Sequence, residues 1–381
     1  MTSGRRLRII PRRRRTIVIA VAVVLVLAIA NAAQKRPDPA PDPGGDEAAV
    51  LGELPADKEL GFNDSFGLEG LGSRTGATLI SDAGGNAVRM PMQWWGMEPG
   101  PGEWDERLWA EYERAYDDFV AEGIRPHFSI THAPPWAREP EFRACLVRAQ
   151  CNYPPAREQL HRWERFMSRL ATRFPQAWFG IWNEPNFVGS WRSGPDPERY
   201  AELLAVAYGA VKSASADAGV LGPGLGSVPK PDGLDYRSFL DRAYAAPLSF
   251  KDHADAIELH VYPGPNLGAG SFFARVLDDV REVRAAYGDR DKPIYVTEVG
   301  ATTSGPNPVD EEQQADVVSR ATTKLLTMPD VIGVLVHRLV EVPTAAETDP
   351  EKGFGLVRLT ESGDPEPKLA YCALGAPVAP C

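Results

Sequence analysis

Residues 103–131 read EWDERLWAEYERAYDDFVAEGIRPHFSIT, a stretch in which two different apolar patterns follow each other. Its first part places apolar side chains at intervals of three and four residues, which predicts an amphipathic helix over 103–123. The predicted buried face comprises Leu108, Tyr112, Tyr116, Phe119 and Val120. The last seven residues, 125–131, form a short apolar run of the kind found in buried strands. The stretch is therefore a helix that leads directly into a strand.

The same alternation continues along the chain from residue 60. Apolar runs predict eight strands, at 60–65, 87–92, 125–131, 177–183, 220–226, 256–262, 293–298 and 331–337. Amphipathic stretches predict helices at 103–123, 157–174, 197–219, 272–288 and 310–327, three of them followed by the helix-ending glycines Gly123, Gly219 and Gly288. Alternating strands and helices imply a parallel sheet with right-handed connections. Eight repeats predict a single α/β domain, a (β/α)₈ TIM barrel.

A doubly wound open sheet is the alternative. It would be expected to carry a glycine-rich phosphate loop after the first strand. The nearest match, GLGSRTG at 70–76, has the wrong glycine spacing, and we expect an ordinary loop there.

The N-terminal part differs from the barrel in composition. Residues 1–33 combine a basic head, which holds seven arginines, with an uncharged apolar run at 16–33, slightly shorter than the roughly 20 residues that span a bilayer. The sequence leaves open a cleaved signal peptide and an uncleaved membrane anchor, and the length of the run favours the anchor. Residues 34–56, rich in Pro and Asp, predict an extended linker, which leaves residues 57–381 for the barrel. Either alternative predicts an extracytoplasmic protein, anchored or secreted.

Charge and cysteine content narrow the possible functions. The net charge is -11 although residues 1–36 hold no acidic residue, so the rest of the chain is strongly acidic, and binding to nucleic acid is not expected. The four cysteines allow three pairings, and their spacing favours Cys145 with Cys151 and Cys372 with Cys381, free thiols being the alternative. No zinc motif is present among the His and Cys residues, and no metal or organic cofactor is predicted.

Two predicted strands end in carboxylates. The fourth leads into Asn183-Glu184-Pro185, and the seventh ends in Glu298. Pro185 is expected to hold Glu184 in an extended backbone conformation. The C-terminal ends of barrel strands surround one mouth, so the two glutamates are expected to face each other. Two opposed carboxylates are what glycoside hydrolysis requires.

These motifs resemble the clan A glycoside hydrolases, which are retaining (β/α)₈ enzymes, and families 5 and 39 in particular. The resemblance covers residues 60–374 and rests on WNEPN (182–186), VTEVG (296–300), VRMPMQW (88–94) and HVYP (260–263). It implies that Glu184 is the general acid/base and Glu298 the nucleophile. It further implies that Arg89 and Tyr262 bond Glu298, and that Asn183 binds the sugar 2-OH. One departure is His337 at the end of strand eight, where family 5 enzymes often carry a tryptophan platform.

Further substrate contacts are expected around the mouth. The candidates are His132, His260 and His337, with Trp95, Trp136 and Trp191 as possible stacking platforms and Trp182 as a wall of the site. Trp163 and Trp178 are assigned to packing.

The predicted partner is an oligo- or polysaccharide, cleaved at an O-glycosidic bond expected to be β-linked. A catalytically inactive glycan-binding barrel and a transglycosylase using the same residues are the alternative functions.

Overall fold

The structure, a computed structural model, describes residues 54–64, 71–147, 150–227, 231–342, 345–346 and 348–375. The predicted head at 1–33 and the linker up to residue 53 lie outside these residues. Within the described ranges, no helix is both long and apolar enough to cross a membrane.

Eight parallel strands close into a barrel in the order of the chain. They are β1 (Glu59–Asn63), β2 (Ala87–Gln93), β3 (Arg125–Thr131), β4 (Trp178–Ile181), β5 (Gly219–Leu225), β6 (Ala256–Val261), β7 (Ile294–Val299) and β8 (Val331–Val336). β1 pairs with β2 on one side and with β8 on the other, which closes the ring. The predicted (β/α)₈ barrel is confirmed, and the doubly wound sheet is wrong because an open sheet would leave two unpaired edges.

Helices surround the barrel. They are α1 (Ser73–Asp82), α2 (Trp94–Met97), α3 (Glu106–Ala121), α4 (Leu160–Arg173), α5 (Pro197–Ala214), α6 (Tyr236–Ala245), α7 (Phe272–Ala286), α8 (Glu311–Leu326) and α9 (Leu369–Cys372). All five predicted helices are present. α1 begins at Ser73, inside the stretch expected to be a loop, and α6 was not predicted.

The packing of α3 corrects one residue of the predicted face. The side chain of Asp105 accepts from the backbone N–H of Leu108 and caps the helix, and Gly123 follows the helix with a φ of 72°. Tyr116 and Phe119 are buried as predicted, whereas Val120 is exposed and Trp109 is fully buried instead. The buried stripe is therefore rotated slightly from the one that periodicity indicates.

Gly219 has a different role from the predicted one. α5 ends at Ala214, and Gly219 is the first residue of β5. A Cβ at this position would overlap the indole ring of Trp178, which packs across it from β4. The glycine is needed for strand packing and not as a helix cap.

A buried polar cluster lies at the N-terminal end of the barrel, away from the mouth. Glu59 on β1 contacts His127 Nε2 at 2.9 Å and accepts a hydrogen bond from the Tyr295 hydroxyl at 2.7 Å. Arg125 lies 3.3 Å from the same carboxylate. Burial alone would raise the pKa of Glu59, but these partners lower it to about 2. Polar contacts at this end of a barrel contribute to stability.

One of the two predicted disulfides lies within the described residues. Cys145 and Cys151 are bonded, which closes a short segment of the loop between β3 and α4. The second predicted pairing involves Cys381, which lies outside the described residues.

Candidate active site

Glu184 and Glu298 meet at the mouth of the barrel. Glu184 follows β4, Glu298 is near the end of β7, and they are only 2% and 5% exposed. His260 of β6 lies between them: its Nδ1 is 3.1 Å from Glu184 Oε1 and 3.5 Å from Glu298 Oε2. One imidazole nitrogen therefore faces both carboxyl groups.

The backbone around Glu184 is strained. β4 ends at Ile181, two residues earlier than predicted, and Trp182 and Glu184 then have φ values of 67° and 45°. The expectation that Pro185 holds Glu184 in an extended conformation is wrong. The left-handed turn is held by tertiary hydrogen bonds, including one from the Glu184 N–H to the carbonyl of Gly224 at 3.1 Å. Such strain in non-glycine residues clusters at functional sites.

Arg89 of β2 connects the nucleophile candidate to the amide beside Glu184. Its Nη1 donates to Glu298 Oε1 at 2.8 Å and to Asn63 Oδ1 at 3.0 Å. Its Nη2 donates to Asn183 Oδ1 at 2.7 Å and to Ser129 Oγ at 3.2 Å. The expected contact between Arg89 and Glu298 is present, and the guanidinium also orients Asn183.

Tyr262 completes the environment of Glu298. Its hydroxyl donates to Glu298 Oε2 at 2.5 Å. Burial alone would raise the pKa of Glu298, but the charges of His260, His337 and Arg89 and the bond from Tyr262 lower it to about 2. At neutral pH Glu298 is therefore an anion.

Glu184 has the opposite character. Burial raises its pKa, the contact with His260 lowers it in part, and the charge of Glu298 raises it further. The two carboxyl groups share a mouth but differ in their tendency to hold a proton. This is the division between acid and nucleophile that two-carboxylate catalysis needs.

His337 follows β8 and belongs to a second buried pair. Its Nε2 lies 3.2 Å from Glu351 Oε2, and its Nδ1 is 3.9 Å from Glu298 Oε2. Burial alone would lower the pKa of His337, but Glu351 and Glu298 raise it. The ring packs edge-on against Phe354 at a centroid distance of 5.1 Å. This histidine–glutamate pair lies where the resemblance implies an aromatic platform.

The tryptophans predicted near the mouth divide into two groups. Trp182 and Trp191 are at most 1% exposed and pack edge-to-face at 5.3 Å. Neither ring has a surface left for a sugar, so the predicted stacking platform at Trp191 and the predicted wall of the site at Trp182 are both wrong. Trp95 and Trp136 are half-buried. The Arg138 guanidinium lies 4.6 Å from the ring centre of Trp95, and Trp136 Nε1 donates to the carbonyl of Glu98. These two rings stay candidates for substrate contacts.

His132 lies at the end of β3, half-buried, with a φ of 58°. Its Nδ1 is 2.8 Å from Thr131 Oγ1, and its backbone N–H donates to Asn152 Oδ1. Asn152 directly follows Cys151 of the disulfide, so the loop between β3 and α4 helps to place the histidine. The role of His132 as a sugar contact stays a prediction.

Several residues of the site were not found from the sequence: Asn63, Ser129, Glu258 and Glu351. For Glu258 a signal exists. Glu258, His260 and Tyr262 alternate along β6, and alternate strand residues face the same side. Glu351 gives no comparable signal, because it reaches the site from a loop.

In the described part of the chain, no group of three or more His, Cys, Asp or Glu residues is arranged to hold a metal ion.

A family model described as cellulase (glycosyl hydrolase family 5) matches residues 59–328. No curated protein matches the chain.

Several solved structures share the fold. A family 39 glycoside hydrolase from the gut symbiont Bacteroides cellulosilyticus WH2 is 21% identical with a TM-score of 0.62; the match covers 86% of this chain and 65% of that one. A monomeric beta-xylosidase from Caulobacter crescentus CB15 is 20% identical, with a TM-score of 0.59 and coverages of 85% and 68%. A beta-glucosidase from Exiguobacterium marinum is 18% identical, with a TM-score of 0.59 and coverages of 84% and 97%.

The family match extends from the first residue of β1 into the segment after α8, and so includes the strands that carry both glutamates. The chain belongs to the cellulase family, glycosyl hydrolase family 5, and is an O-glycosyl hydrolase of clan A.

Proposed function

We propose that this hydrolase retains the configuration of the sugar by double displacement, with Glu298 as nucleophile and Glu184 as general acid/base. The observation that carries the proposal is the placement of both carboxyl groups against one nitrogen of His260, at 3.1 Å and 3.5 Å. The two facing oxygens cannot be further apart than these two distances together. The separation of about 5–5.5 Å between the carboxyl groups of retaining enzymes lies within this limit, and the longer separations in the range of about 6.5–9.5 Å of inverting enzymes exceed it.

In the first step, a Glu298 oxygen attacks the anomeric carbon while the bond to the leaving oxygen breaks. Glu184 donates its proton to that oxygen, which leaves a glycosyl ester on Glu298. In the second step, Glu184 takes a proton from water, and the water oxygen replaces Glu298 on the anomeric carbon. Both carboxyl groups return to their starting states, which are the states that their opposite pKa shifts favour.

The neighbouring residues have supporting roles. Arg89 and Tyr262 keep Glu298 ionised and hold it in one orientation, since each donates to a different carboxylate oxygen. Asn183, whose carbonyl oxygen is held by Arg89, keeps its amide N–H₂ for the sugar 2-OH. His132, Trp95 and Trp136 are the proposed contacts of the rest of the sugar. His260 and His337, which both face carboxylates, act mainly on the charge of the site.

The proposed substrate is a β-linked oligo- or polysaccharide outside the cytoplasm. The disulfide between Cys145 and Cys151 supports an oxidising compartment. The basic head and apolar run at 1–33 support delivery to, or anchoring in, the cell membrane.

A panel of 4-nitrophenyl glycosides in both anomeric forms tests the function. We expect hydrolysis of at least one β-glycoside, with proton NMR showing the β-anomer of the sugar first. The α-anomer as first product would contradict retention. Addition of a sugar alcohol acceptor distinguishes transglycosylation, because a transglycosylase would form the new glycoside in preference to the free sugar.

Substitution of the nucleophile tests the assignment of residues. Glu298→Ala is expected to lower kcat on the order of 10⁴-fold or more without loss of the fold. The matched control is Glu59→Gln, which removes a buried carboxylate at the other end of the barrel and is expected to keep kcat. Near-normal turnover by Glu298→Ala would overturn the assignment.

A further inference from the structure

Glu258, the third residue of β6, places a carboxyl group inside the barrel next to the site. Its side chain is fully buried. The interior of such barrels is usually filled with branched apolar side chains, and a buried carboxyl group costs free energy unless it is paired. The proposed chemistry does not use Glu258, so another role must account for it.

The partners of Glu258 lead to the nucleophile. Its Oε1 lies 3.3 Å from Arg89 Nη2 and accepts a hydrogen bond from Thr297 Oγ1 at 2.9 Å. Its Oε2 is buried and has no hydrogen-bond partner among the residues that the structure describes. Thr297 directly precedes Glu298, so both contacts of Oε1 are with residues that also touch or adjoin the nucleophile.

Neighbouring strands leave room for this carboxyl group. A Cβ on Gly180 of β4 would lie 2.9 Å from Glu258 Oε2, and one on Gly224 of β5 would lie 3.2 Å from it. Any larger residue at Gly180 would push the carboxyl group towards a different position. The carbonyl of Gly224 also accepts the N–H of Glu184. The pocket around Glu258 is therefore built from β4, which leads into Glu184, and from β5, which accepts a hydrogen bond from the Glu184 backbone.

Arg89 lies between two carboxyl groups. Its Nη1 bonds Glu298, whereas its Nη2 faces Glu258 and bonds Asn183. The guanidinium is a rigid planar fork, so a carboxyl group that anchors one of its nitrogens also sets the direction of the other. Without Glu258, Glu298 would be the one carboxylate of the described ranges that holds the fork by charge.

We propose that Glu258 is a positioning residue that acts through Arg89, setting the orientation of the guanidinium that holds both the nucleophile Glu298 and Asn183. The inference rests on the proposed function. It predicts a loss in kcat rather than in substrate affinity, because Glu258 orients groups that act in the transition state and does not touch the sugar.

The test is a double-mutant cycle between Glu258→Gln and Arg89→Met, on the best β-glycoside of the panel. Glu258→Gln alone is expected to lower kcat by about 10-fold or more with KM changed by less than about 3-fold. In the Arg89→Met background, the same substitution is expected to cost less than about 3-fold further, because the route through Arg89 is already lost. Glu59→Gln is the control, expected to lower the melting temperature but keep kcat.

If Glu258→Gln lowers kcat by the same factor in the wild type and in Arg89→Met, the proposal is overturned. A wild-type kcat in Glu258→Gln would also overturn it. If Glu258→Gln does not fold, Thr297→Val replaces it, since this change removes one of the two contacts of Glu258 and keeps the side-chain shape. Thr297→Val should then show the same loss of kcat and the same dependence on Arg89; wild-type kcat would overturn the proposal.

If the wild type cleaves no glycoside, the proposed function fails. Urea unfolding of Glu258→Gln, Arg89→Met and the double variant then tests separately whether Glu258 positions Arg89. Strongly non-additive shifts of the unfolding midpoint for the two substitutions would support the positioning of Arg89. Additive shifts would overturn it.

Discussion

Arg89 and Glu298 form a buried ion pair across the barrel, with Nη1 on β2 2.8 Å from Oε1 on β7. The residues are far apart in the chain, and the pair exists because strand closure brings β2 and β7 to one mouth. The ion pair affects the protonation of the site. The Arg89 cation helps to hold the pKa of Glu298 at about 2, whereas burial raises the pKa of Glu184, which contacts the same histidine as Glu298, His260.

Removal of this cation should change the pH dependence of the enzyme. In Arg89→Met, the pKa of Glu298 rises from about 2 because burial is less compensated. The acid limb of kcat/KM therefore moves to higher pH, and the loss of rate is larger at pH 4 than at pH 7. Arg125→Met, which removes the arginine beside Glu59, is the control and should leave the acid limb in place. An unchanged acid limb in Arg89→Met would show that Arg89 does not set the charge of Glu298.

Glu184→Gln should stabilise the protein at alkaline pH while it abolishes turnover. A carboxyl group whose pKa is raised by folding costs stability once the pH exceeds its unfolded value of about 4.3, and glutamine removes this cost. The gain should appear in urea unfolding at pH 8 and vanish near pH 3.

Glu298→Gln should change the stability at alkaline pH in the opposite direction. Its pKa is lowered to about 2, so the ionised carboxylate stabilises the fold above pH of about 4.3, and this stability is lost as the pH falls towards 2. The variant should be less stable than the wild type at pH 8. A gain of stability by both variants, or by neither, would contradict the assigned protonation states.

Loss of the disulfide should weaken the loop between β3 and α4. Cys145 and Cys151 are separated by six positions, and the loop-entropy relation gives about 2 kcal/mol for such a short closed loop. The double substitution to serine should lower the free energy of unfolding by about this amount. Dithiothreitol should destabilise the wild type more than the Cys145→Ser/Cys151→Ser variant, in which only the predicted pair of Cys372 and Cys381 can still be reduced. An equal effect on both would show that the bond between Cys145 and Cys151 is not the cause.

Deletion of residues 1–36 should give a folded, soluble protein with the kcat of the full chain. The basis is the Pro- and Asp-rich composition that follows, which is typical of an extended linker. Circular dichroism and size-exclusion chromatography measure the outcome. Aggregation or unfolding of the shortened chain would mean that the head packs on the barrel.

The alternation of apolar runs and amphipathic stretches determined the fold class by itself, because the periods of strands and helices are local properties of the chain. The ends of the strands were less predictable. β4 stops at Ile181 since Trp182 and Glu184 turn into the left-handed region, and this turn is held by hydrogen bonds from other strands.

For the site, the sequence determined the two glutamates and the expected partners of Glu298, since strand order places their ends around one mouth. The opposite pKa shifts of the pair, the buried positions of Trp182 and Trp191, and the contacts of Glu258 and Glu351 appear only in the folded structure. The physical reason is that burial and charge depend on neighbours from distant segments. Glu258 is an acidic residue within an apolar run of the sequence. Its partner is visible only in the folded structure, where β2 brings Arg89 to 3.3 Å from its carboxyl group.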